Sequence, residues 1–385
     1  MSASRQRGGG RLHVLLVSHY YPPHIGGIEI VVRREAEGLL AAGAEVTVLT
    51  SGDRSSVCVQ DGVRVVRVAA WNAAERRAGM PFPLFSPALL PVVVRLARRA
   101  DVIHVHDCLY LSSWAAGLAA RLTRTPYVLT QHVAVVDHPS RLVRAVEQLL
   151  YALAGKSLLR HARTVFTLNA SVGAFVRACG ARDQRHLANG TDTMLFCPAA
   201  DEEERRLLRR RLGLPSDRLL VLFVGRLVAK KGYDLLLASH SPEAGYDLVL
   251  CGDGDARPLA GRPGVHHLGG LSPAEVAGAY RACDVFALPS TREGFPLSVQ
   301  EAMASGLPVV TTDDPGYAPY GLDRTQVSLL PREPSVLAGQ LRELAADPQR
   351  RARMAGYSRA YAERAFAWDE HVRTLLAHYS GLRGP

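Results

Sequence analysis

Short, continuous apolar runs alternate with longer amphipathic segments along the whole chain, and this alternation restricts the fold more than any other feature. Most of the runs are rich in Val, Ile and Leu and lack a polar residue at every second position. Such strands are typical of a parallel sheet that is covered on both faces. We predict strands at Leu12–Ser18, Glu45–Thr50, Val63–Val68, Val102–His106, Tyr127–Thr130, Thr164–Thr167, Leu219–Val224, Asp247–Cys251, Val265–Leu268, Val285–Leu288 and Pro308–Thr311.

The segments between these runs predict helices, among them Glu29–Ala42, Ala88–Arg99, Pro273–Arg281 and a last helix over Ala360–Tyr379. Because strands and helices alternate through both halves of the 385 residues, the pattern predicts an α/β protein with two doubly wound, Rossmann-like domains. Turn residues and a proline in Asn189–Ala200 indicate the boundary between them. We expect domains over residues 1–190 and 191–365, followed by a helical segment at 366–385.

Charge and composition exclude several classes of protein. Lys and Arg number 46 against 36 Asp and Glu, which gives a formal net charge of +10 and favours an anionic ligand or surface. The arginines are dispersed and form no basic patch with interleaved aromatic residues, so we expect no nucleic-acid partner. No apolar run reaches the roughly 18–20 residues that span a bilayer, and the six cysteines form no Cys-x-x-Cys pair. We therefore expect a soluble, cytoplasmic protein with reduced thiols.

Two glycines precede the first predicted helix. Gly26 and Gly27 follow the first strand at a point where the backbone can approach a ligand closely and the free N–H groups of a helix start attract anions. The segment is not the Gly-x-Gly-x-x-Gly fingerprint, which argues against a nicotinamide dehydrogenase. The residues alone leave two interpretations open: a phosphate site, or a plain loop that needs glycine for its turn.

Two cations follow the first strand of the second half. Arg226 and Lys231 come after the run Leu219–Val224 and Gly225. Open α/β sheets bind ligands at the carboxyl ends of their strands, and two cations placed there can neutralise a diphosphate. The alternative is that both are ordinary solvated side chains.

The segment Pro289–Val310 carries two glutamates, Glu293 in a loop and Glu301 inside a helix that begins near Pro296. Proline is tolerated in the first helical turn, which places Glu301 about one turn into the helix. A loop glutamate, free backbone N–H groups and a second glutamate can together hold sugar hydroxyls, phosphate and ribose hydroxyls. The alternative, an N-terminal charge favoured by the helix macrodipole, does not account for the whole string.

Nearly the whole chain resembles the retaining glycosyltransferases of the large family four, which have the GT-B fold. The motifs that carry the resemblance occur in the expected order: YPPHIGGIE, IHVHD, TQHV, NGTDTMLF, VGRLVAKKG, CGDGD, REGFPLSVQEAMASGLPVV and FAWDEHV. The resemblance implies two Rossmann-like domains that face each other across a cleft, the first for the acceptor and the second for a nucleotide-sugar donor. The terminal helix around Trp368 would cross back onto the first domain.

The resemblance also implies a role for each matching residue. Gly26 and Gly27 would face the diphosphate of the donor. Arg226 and Lys231 would bind that diphosphate and stabilise the departing nucleotide, and Glu293 would contact the donor hexose.

Further roles follow from the same resemblance. Glu301 would hydrogen-bond the ribose hydroxyls, and His132 would be the active-site histidine near the transferred sugar. Lys230 stands where many relatives carry an acidic residue, which leaves open which lysine meets the phosphate. The backbone of four residues would lie at the sugar and the phosphate, namely Gly294, Phe295, Pro296 and Leu297.

The implied reaction keeps the anomeric configuration and needs no metal or other cofactor, since the two cations would act where a divalent ion acts in other transferases. A UDP-sugar is the favoured donor, and His132 would position groups during a front-face substitution. No residue is an obvious covalent nucleophile. An epimerase that acts on a nucleotide sugar is the alternative enzyme on the same scaffold.

Candidates on the acceptor side come from the first domain. Asp107 ends a predicted strand and can accept a hydrogen bond from an acceptor hydroxyl or amine, or else cap a helix that begins near Leu109. Tyr20, His132 and His138 are further candidates. The acceptor would be a saccharide or an aminocyclitol-type precursor of an aminoglycoside-like antibiotic, or else a cell-envelope glycan or lipid-linked saccharide.

Basic residues interleaved with leucines in the segment 140–163 leave a membrane-associated enzyme open as an alternative. A basic amphipathic surface can rest on anionic lipid, whereas an ordinary solvated helix carries the same pattern. The absence of a strong anchor favours a soluble acceptor. The basic residues are Arg141, Arg144, Lys156, Arg160 and Arg163.

Overall fold

The computed structural model describes residues 10–24, 26–72, 82–134, 151–291 and 293–382. The chain divides into two compact units. Unit 1 comprises Met1–Leu187 and His371–Pro385, and unit 2 comprises Ala188–Glu370. Among the described residues, no helix is long and apolar enough to cross a membrane.

Unit 1 is built on a nine-stranded sheet. In chain order its strands are β1 (His13–Val17), β2 (Glu45–Gly52), β3 (Ser56–Gln60), β4 (Val63–Trp71), β5 (Leu84–Phe85), β6 (Val102–His106), β7 (Tyr127–Gln131), β8 (Val165–Thr167) and β9 (Gln184–His186). They lie in the order β3-β4-β2-β1-β6-β7-β8-β9, with β5 paired to β4. Neighbouring strands are parallel except for the pairs β3–β4 and β4–β5. The carboxyl ends of β1, β6 and β7 therefore meet at one edge of the sheet.

Successive residues of the central strand β1 enter two different apolar clusters. Val14 and Leu16 belong to one cluster, and Leu15 and Val17 belong to the other. Both faces of the sheet are thus buried, which is why the strand reads as a continuous apolar run rather than an alternation. The helices that follow these strands are α1 (Gly27–Ala41), α2 (Leu89–Ala97), α3 (Leu111–Thr123), α4 (Lys156–His161) and α5 (Ala170–Ala178).

Unit 2 is built on a six-stranded sheet in which every pair is parallel. Its strands are β10 (Leu219–Val224), β11 (Tyr246–Cys251), β12 (Val265–Gly269), β13 (Val285–Leu288), β14 (Val309–Thr312) and β15 (Ser328–Leu330). The order β12-β11-β10-β13-β14-β15 reverses direction between β10 and β13, and open α/β sheets bind ligands at such a reversal. The helices are α6 (Glu202–Arg211), α7 (Tyr233–Ser239), α8 (Pro273–Ala282), α9 (Leu297–Ala304), α10 (Pro334–Ala346) and α11 (Pro348–Ala365).

The prediction of a single helix over Ala360–Tyr379 is wrong, because the helix is interrupted at Phe366. Helix α11 ends at Ala365, and α12 (Trp368–Leu382) begins after the break. The carbonyl of Phe366 accepts a hydrogen bond from Thr191 N at 2.6 Å, and Thr191 pairs with Ala367 in an isolated bridge. The buried Phe366 ring packs in the core of unit 2. A contact to a residue so distant in sequence overrides the local helical pattern.

Helix α12 supplies core residues to unit 1. Leu375 and Tyr379 are fully buried in the same cluster as Leu16 and Leu39. The last segment of the chain is therefore a structural part of the unit that holds the first strand.

Four strands were not predicted: β3, β5, β9 and β15. Val57 and Val59 of β3 are exposed, so this edge strand lacks the apolar continuity of the central strands. The other three contain two or three residues each, too few to produce a pattern.

Candidate active site

The two charged loops of unit 2 come together at the carboxyl ends of β10 and β13. Lys231 ends a short 3₁₀ turn after β10, and Glu293 follows β13. Lys231 Nζ donates to Glu293 Oε2 at 2.7 Å, and both side chains are largely buried. The amide of Thr291 donates to the carbonyl of Lys230 at 2.9 Å, which joins the two loops through their backbones. The structure thus brings these two predicted residues into contact.

Arg226 lies in the same loop as Lys231 but is exposed, and it forms no ion pair with another described residue. Its guanidinium therefore adds an uncompensated positive charge to an edge where Lys231 already has a carboxylate partner. Two cations with one counter-ion leave a net positive charge that favours an anionic ligand.

Glycine makes this edge of the sheet accessible. Gly252 follows β11 with φ +143°, and a Cβ there would overlap the carbonyl oxygen of Gly225. Leu227 pairs with Gly254 in an isolated bridge. The loops after β10 and β11 consequently pack backbone against backbone, with no side chain between them.

The loop after β13 leads into α9, with Pro296 at its N-cap as predicted for a helix that begins near it. The Phe295 ring stacks on Tyr320 with centroids 4.1 Å apart and is buried, so only the backbone of Phe295 can meet a ligand. The backbone N–H groups of Gly294 and Leu297 belong to the same turn.

Glu301 lies one turn into α9 and is partly buried. Its Oε2 lies 3.1 Å from the hydroxyl of Tyr280, which also lies 2.9 Å from the carbonyl oxygen of Ser298. Burial raises the pKa of Glu301 to about 7, although the Tyr280 hydrogen bond acts in the opposite direction. A carboxyl group with this pKa exchanges its proton near neutrality.

Gln300 is a buried residue of α9 that the sequence did not single out. Its side-chain amide donates to the carbonyl of Phe295 at 3.2 Å and accepts from Thr191 Oγ1 at 3.2 Å. Gln300 therefore connects the turn before α9 to the Asn-Gly-Thr-Asp segment. Only its place between Glu293 and Glu301 could have indicated this role.

In unit 1, Gly26 is the N-cap of α1 and Gly27 its first residue. The carboxylate of Glu29 folds back over Gly26, where a Cβ would overlap it, and Glu29 Oε1 lies 2.9 Å from His24 Nδ1. A Cβ on Gly27 would meet no atom within 4 Å. The open approach to the N-terminus of α1 is therefore at Gly27, and sequence reasoning missed Glu29.

Asp107 directly follows β6 with φ +64° and is buried. Gln131 Nε2 donates to Asp107 Oδ1, and the same Nε2 donates to the Val133 carbonyl at 2.8 Å. Burial raises the pKa of Asp107 to about 8. The alternative interpretation of Asp107 as a helix cap is wrong, because α3 begins only at Leu111 and has Tyr110 at its N-cap.

His132 follows β7 and lies beside β6 through a contact with His106, whose Nδ1 is 3.1 Å from His132 Nε2. Burial lowers the pKa of His132 well below its usual value, so the imidazole is neutral. Tyr20 is buried and stacks on His24 with centroids 4.0 Å apart. His138 lies outside the described residues, as do Arg141 and Arg144 of the basic segment.

Within the described ranges, one buried group has metal-like spacing: ligand atoms of Glu35, His104 and His106 lie within 4.8 Å of one another. His104, however, has both ring nitrogens engaged. Its Nε2 is 2.7 Å from Thr130 Oγ1, and its Nδ1 is 2.6 Å from the Tyr379 hydroxyl. Because no lone pair of His104 is left for a cation, the donor set does not fit a metal.

Two family models match the chain. The model of a glycosyl transferase 4-like domain matches residues 26–190, and that of glycosyl transferases group 1 matches residues 204–361. A D-inositol 3-phosphate glycosyltransferase of Xylanimonas cellulosilytica is 34% identical over 392 residues, covering 92% of this chain and 91% of the relative. This chain belongs to the group 1 glycosyltransferases. The family-four resemblance predicted from the motifs is confirmed.

Further relatives and several solved structures are similar to this glycosyltransferase. The D-inositol 3-phosphate glycosyltransferase of Corynebacterium kroppenstedtii is 28% identical and is covered to 86%, with 94% of this chain aligned. The Anabaena HepE protein in complex with UDP has a TM-score of 0.73 at 22% identity, covering 96% of this chain and 100% of that one. Sucrose-phosphate synthase of Thermosynechococcus elongatus has a TM-score of 0.71 at 23% identity, covering 97% and 99%. These likenesses confirm the predicted GT-B fold.

Proposed function

We propose that this glycosyltransferase moves a sugar from a UDP-sugar to a hydroxyl of a cyclitol phosphate or saccharide acceptor, with retention of configuration and without a metal. The observation that carries the proposal is the pair Lys231–Glu293 beside Arg226 at the carboxyl ends of β10 and β13. Two cations that can bind a diphosphate therefore lie beside a carboxylate that can bind sugar hydroxyls, at the point where the strand order of the sheet reverses.

The proposed chemistry places positive charge where the reaction develops negative charge. When the glycosidic bond to the diphosphate breaks, the leaving nucleotide gains charge on its terminal phosphate. Lys231 and Arg226 stabilise that charge, and Lys231 is held in place before the reaction by Glu293 and by the hydrogen bond between the two loops. In this proposal the two cations perform the work of a divalent ion.

Glu293 and Glu301 bind hydroxyl groups in this proposal. Glu293 is held by Lys231 in an orientation that leaves its second oxygen for hexose hydroxyls. Glu301 accepts hydrogen bonds from the ribose hydroxyls once it is ionised. The Anabaena protein in complex with UDP supports uridine as the donor base.

The acceptor is proposed from the relatives and from unit 1. Several relatives are named D-inositol 3-phosphate glycosyltransferases, which supports a phosphorylated cyclitol. Asp107 and His132 lie at the carboxyl edge of the unit 1 sheet, where acceptor hydroxyls would meet a buried carboxyl group and a neutral imidazole.

Nucleotide binding is the first test. We expect UDP to raise the melting temperature more than GDP, ADP or TDP, with or without EDTA, because a ligand that binds only the native state stabilises it by RT ln(1 + [L]/Kd). Glu301→Ala should abolish the shift. An equal response to all four nucleotides would contradict the UDP assignment, and a requirement for Mg²⁺ would contradict metal independence.

Transfer is the second test. UDP-glucose, UDP-galactose and UDP-N-acetylglucosamine are each incubated with D-inositol 3-phosphate, and the anomeric configuration of the product is read by NMR. An α-linked product from an α-linked donor supports retention. Formation of an isomeric UDP-sugar without transfer would instead identify an epimerase.

A further inference from the structure

Three buried side chains of unit 1 form a line from helix α1 to the end of β7. His132 Nε2 lies 3.1 Å from His106 Nδ1, and the two rings are stacked with an interplanar angle of 24°. His106 Nε2 lies 3.2 Å from Glu35 Oε2. Glu35 and His106 are completely buried. A residue proposed to act on the sugar is thus connected to a carboxylate in the interior of the unit.

Other side chains hold Glu35 in place. Its Oε1 lies 2.9 Å from His371 Nε2, on helix α12. Its Oε2 also lies 3.5 Å from His104 Nδ1. Burial alone would raise the pKa of Glu35, but electrostatic interaction with the imidazoles of His106 and His104 and the hydrogen bond from His371 hold it well below its usual value. Glu35 is therefore a carboxylate that faces imidazoles on several sides.

The two other imidazoles around this line stay neutral. Burial lowers the pKa of His104 to about 3 and that of His132 well below its usual value. The His371 imidazole, hydrogen-bonded to Oε1 at 2.9 Å, and the His106 imidazole, with Nε2 3.2 Å from Oε2, are consequently the groups that compensate the Glu35 carboxylate. A buried carboxylate without such donors would be strongly destabilising.

This arrangement determines where the protons lie. His106 Nε2 lies 3.2 Å from Glu35 Oε2 and has no hydrogen-bond partner among the described residues; because a carboxylate oxygen offers only lone pairs, its negative charge favours a proton on this nitrogen. With the proton of His106 on Nε2, its Nδ1 is an acceptor, and His132 donates to it from Nε2. Nδ1 of His132 is left as the acceptor nitrogen of the ring.

We propose that Glu35, acting through His106, is a positioning residue that fixes the ring orientation and the Nε2–H tautomer of His132, so that His132 Nδ1 accepts a hydrogen bond from a substrate hydroxyl. The proposal rests on the proposed function, since it assumes that His132 meets the sugar or the acceptor. No proton needs to travel along the line, and none of the three residues changes its bonding. Their effect is to remove the second tautomer of His132.

The first readout is spectroscopic and needs no substrate. The protein is labelled with ¹⁵N-histidine, and the His132 signals are assigned by their loss in His132→Gln. In the wild type we expect a protonated Nε2 and an unprotonated Nδ1. In Glu35→Gln the charge that orients His106 is lost, and the His132 signals should shift toward a mixture of tautomers. A protonated Nδ1 in the wild type would overturn the proposal even if Glu35→Gln failed to fold.

The second readout is the split between kcat and KM in the transfer assay with a UDP-sugar and D-inositol 3-phosphate. Glu35→Gln should lower kcat by about 10- to 100-fold, the range for partners that orient a functional side chain. KM for the UDP-sugar and the UDP-induced thermal shift should not change. Glu35→Asp, which keeps the charge, should recover part of the lost kcat.

Tyr379→Phe is the matched control. It removes a buried hydrogen bond to His104 on the opposite side of Glu35 but leaves the line to His132 intact. It should lower the melting temperature while kcat and the His132 signals stay at wild-type values. A folded Glu35→Gln with wild-type kcat and unchanged His132 signals would overturn the proposal. If the wild type transfers no sugar, the proposed function fails instead, and the ¹⁵N signals still decide whether Glu35 sets the tautomer.

Discussion

Lys231 Nζ and Glu293 Oε2 are 2.7 Å apart, on loops that follow two neighbouring parallel strands. A pair this close and this buried is coupled, since removal of one partner leaves the other charge without compensation. Substitution of either residue by a neutral one therefore removes a contact and also changes the net charge of the site.

The first prediction concerns the two adjacent lysines. Lys231→Gln should lower kcat by about 10²- to 10³-fold, because a preorganised cation at the leaving group is lost. Lys230→Gln is the matched control, as the Lys230 side chain is exposed and only its carbonyl joins the loops. Steady-state kinetics with a UDP-sugar measure both. A larger loss of kcat in Lys230→Gln than in Lys231→Gln would show that Lys230, and not Lys231, binds the phosphate.

The second prediction concerns Glu301, whose pKa burial raises from 4.5 to about 7. Between these pH values the native state holds a proton that the unfolded chain has lost, so this group makes stability fall as pH rises. Glu301→Gln removes the effect. Without ligand, the variant should be as stable as the wild type at pH 4 and more stable than it at pH 8. The difference at pH 8 should be at most about 3 kcal/mol, because Glu301 is partly exposed and solvent reduces the effect.

Glu301→Gln should also weaken UDP binding by about 10-fold, because an amide has one acceptor oxygen for ribose hydroxyls where a carboxylate has two. In the wild type, UDP affinity should increase as pH rises through 7, and the variant should lose this dependence. Thermal melting and calorimetry across pH 5–9 measure both effects. A flat pH profile for wild-type UDP binding would contradict the ribose role.

The third prediction uses the open space at Gly27. Because a Cβ there meets no atom within 4 Å, Gly27→Ala should leave the free energy of unfolding unchanged or raise it by about 0.5–1 kcal/mol. It should nevertheless lower turnover by about 10-fold, since the methyl group occupies the approach to the free N–H groups of α1. Gly356→Ala in α11 is the control, with equal space around it. Equal turnover by the two variants would contradict a ligand contact at Gly27.

The fourth prediction concerns Asp107, whose pKa burial raises from 3.8 to about 8. Between pH 3.8 and about 8 the native state keeps the Asp107 proton that the unfolded chain has lost. The contribution of Asp107 to the free energy of unfolding therefore falls as pH rises through this range. Asp107→Asn keeps an oxygen that can accept from Gln131 and suits the positive φ. Its melting temperature should exceed that of the wild type at pH 9 and match it near pH 4. A constant difference between the two proteins at every pH would contradict the raised pKa.

Three of the central strands could be predicted from the sequence to the residue, and others, such as β1, to within one residue at each end. Leu219–Val224 and Val285–Leu288 are continuous apolar runs, Val102–His106 is a Val/Ile run interrupted by two histidines, and all three strands have the predicted bounds. Such strands are buried on both faces, so their composition is determined by the core alone. The exposed β3 has no such signal, which is why the same reasoning did not find it.

The ion pair between Lys231 and Glu293 was not predicted, although both residues were singled out from the sequence as candidates for the donor site. The line from Glu35 to His132 was not predicted at all. It brings together residues of α1, β6, β7 and α12, and nothing local marks Glu35 or His371 as partners of the Ile-His-Val-His strand. The helix break at Phe366 is likewise determined by tertiary contacts, and nothing in the local sequence indicates it.

The composition of unit 1 has a consequence for synthesis at the ribosome. Its first strand leaves the exit tunnel early, but Leu375 and Tyr379, which complete its core, are translated after all of unit 2. Unit 2 is continuous in sequence and can fold while unit 1 still waits for its last helix. The nascent chain must therefore hold the sheet of unit 1 with an incomplete core for the time that about half the protein takes to emerge. A stop codon within α12 would leave unit 1 as a target for chaperones and proteases, even though no residue proposed for sugar transfer would be missing.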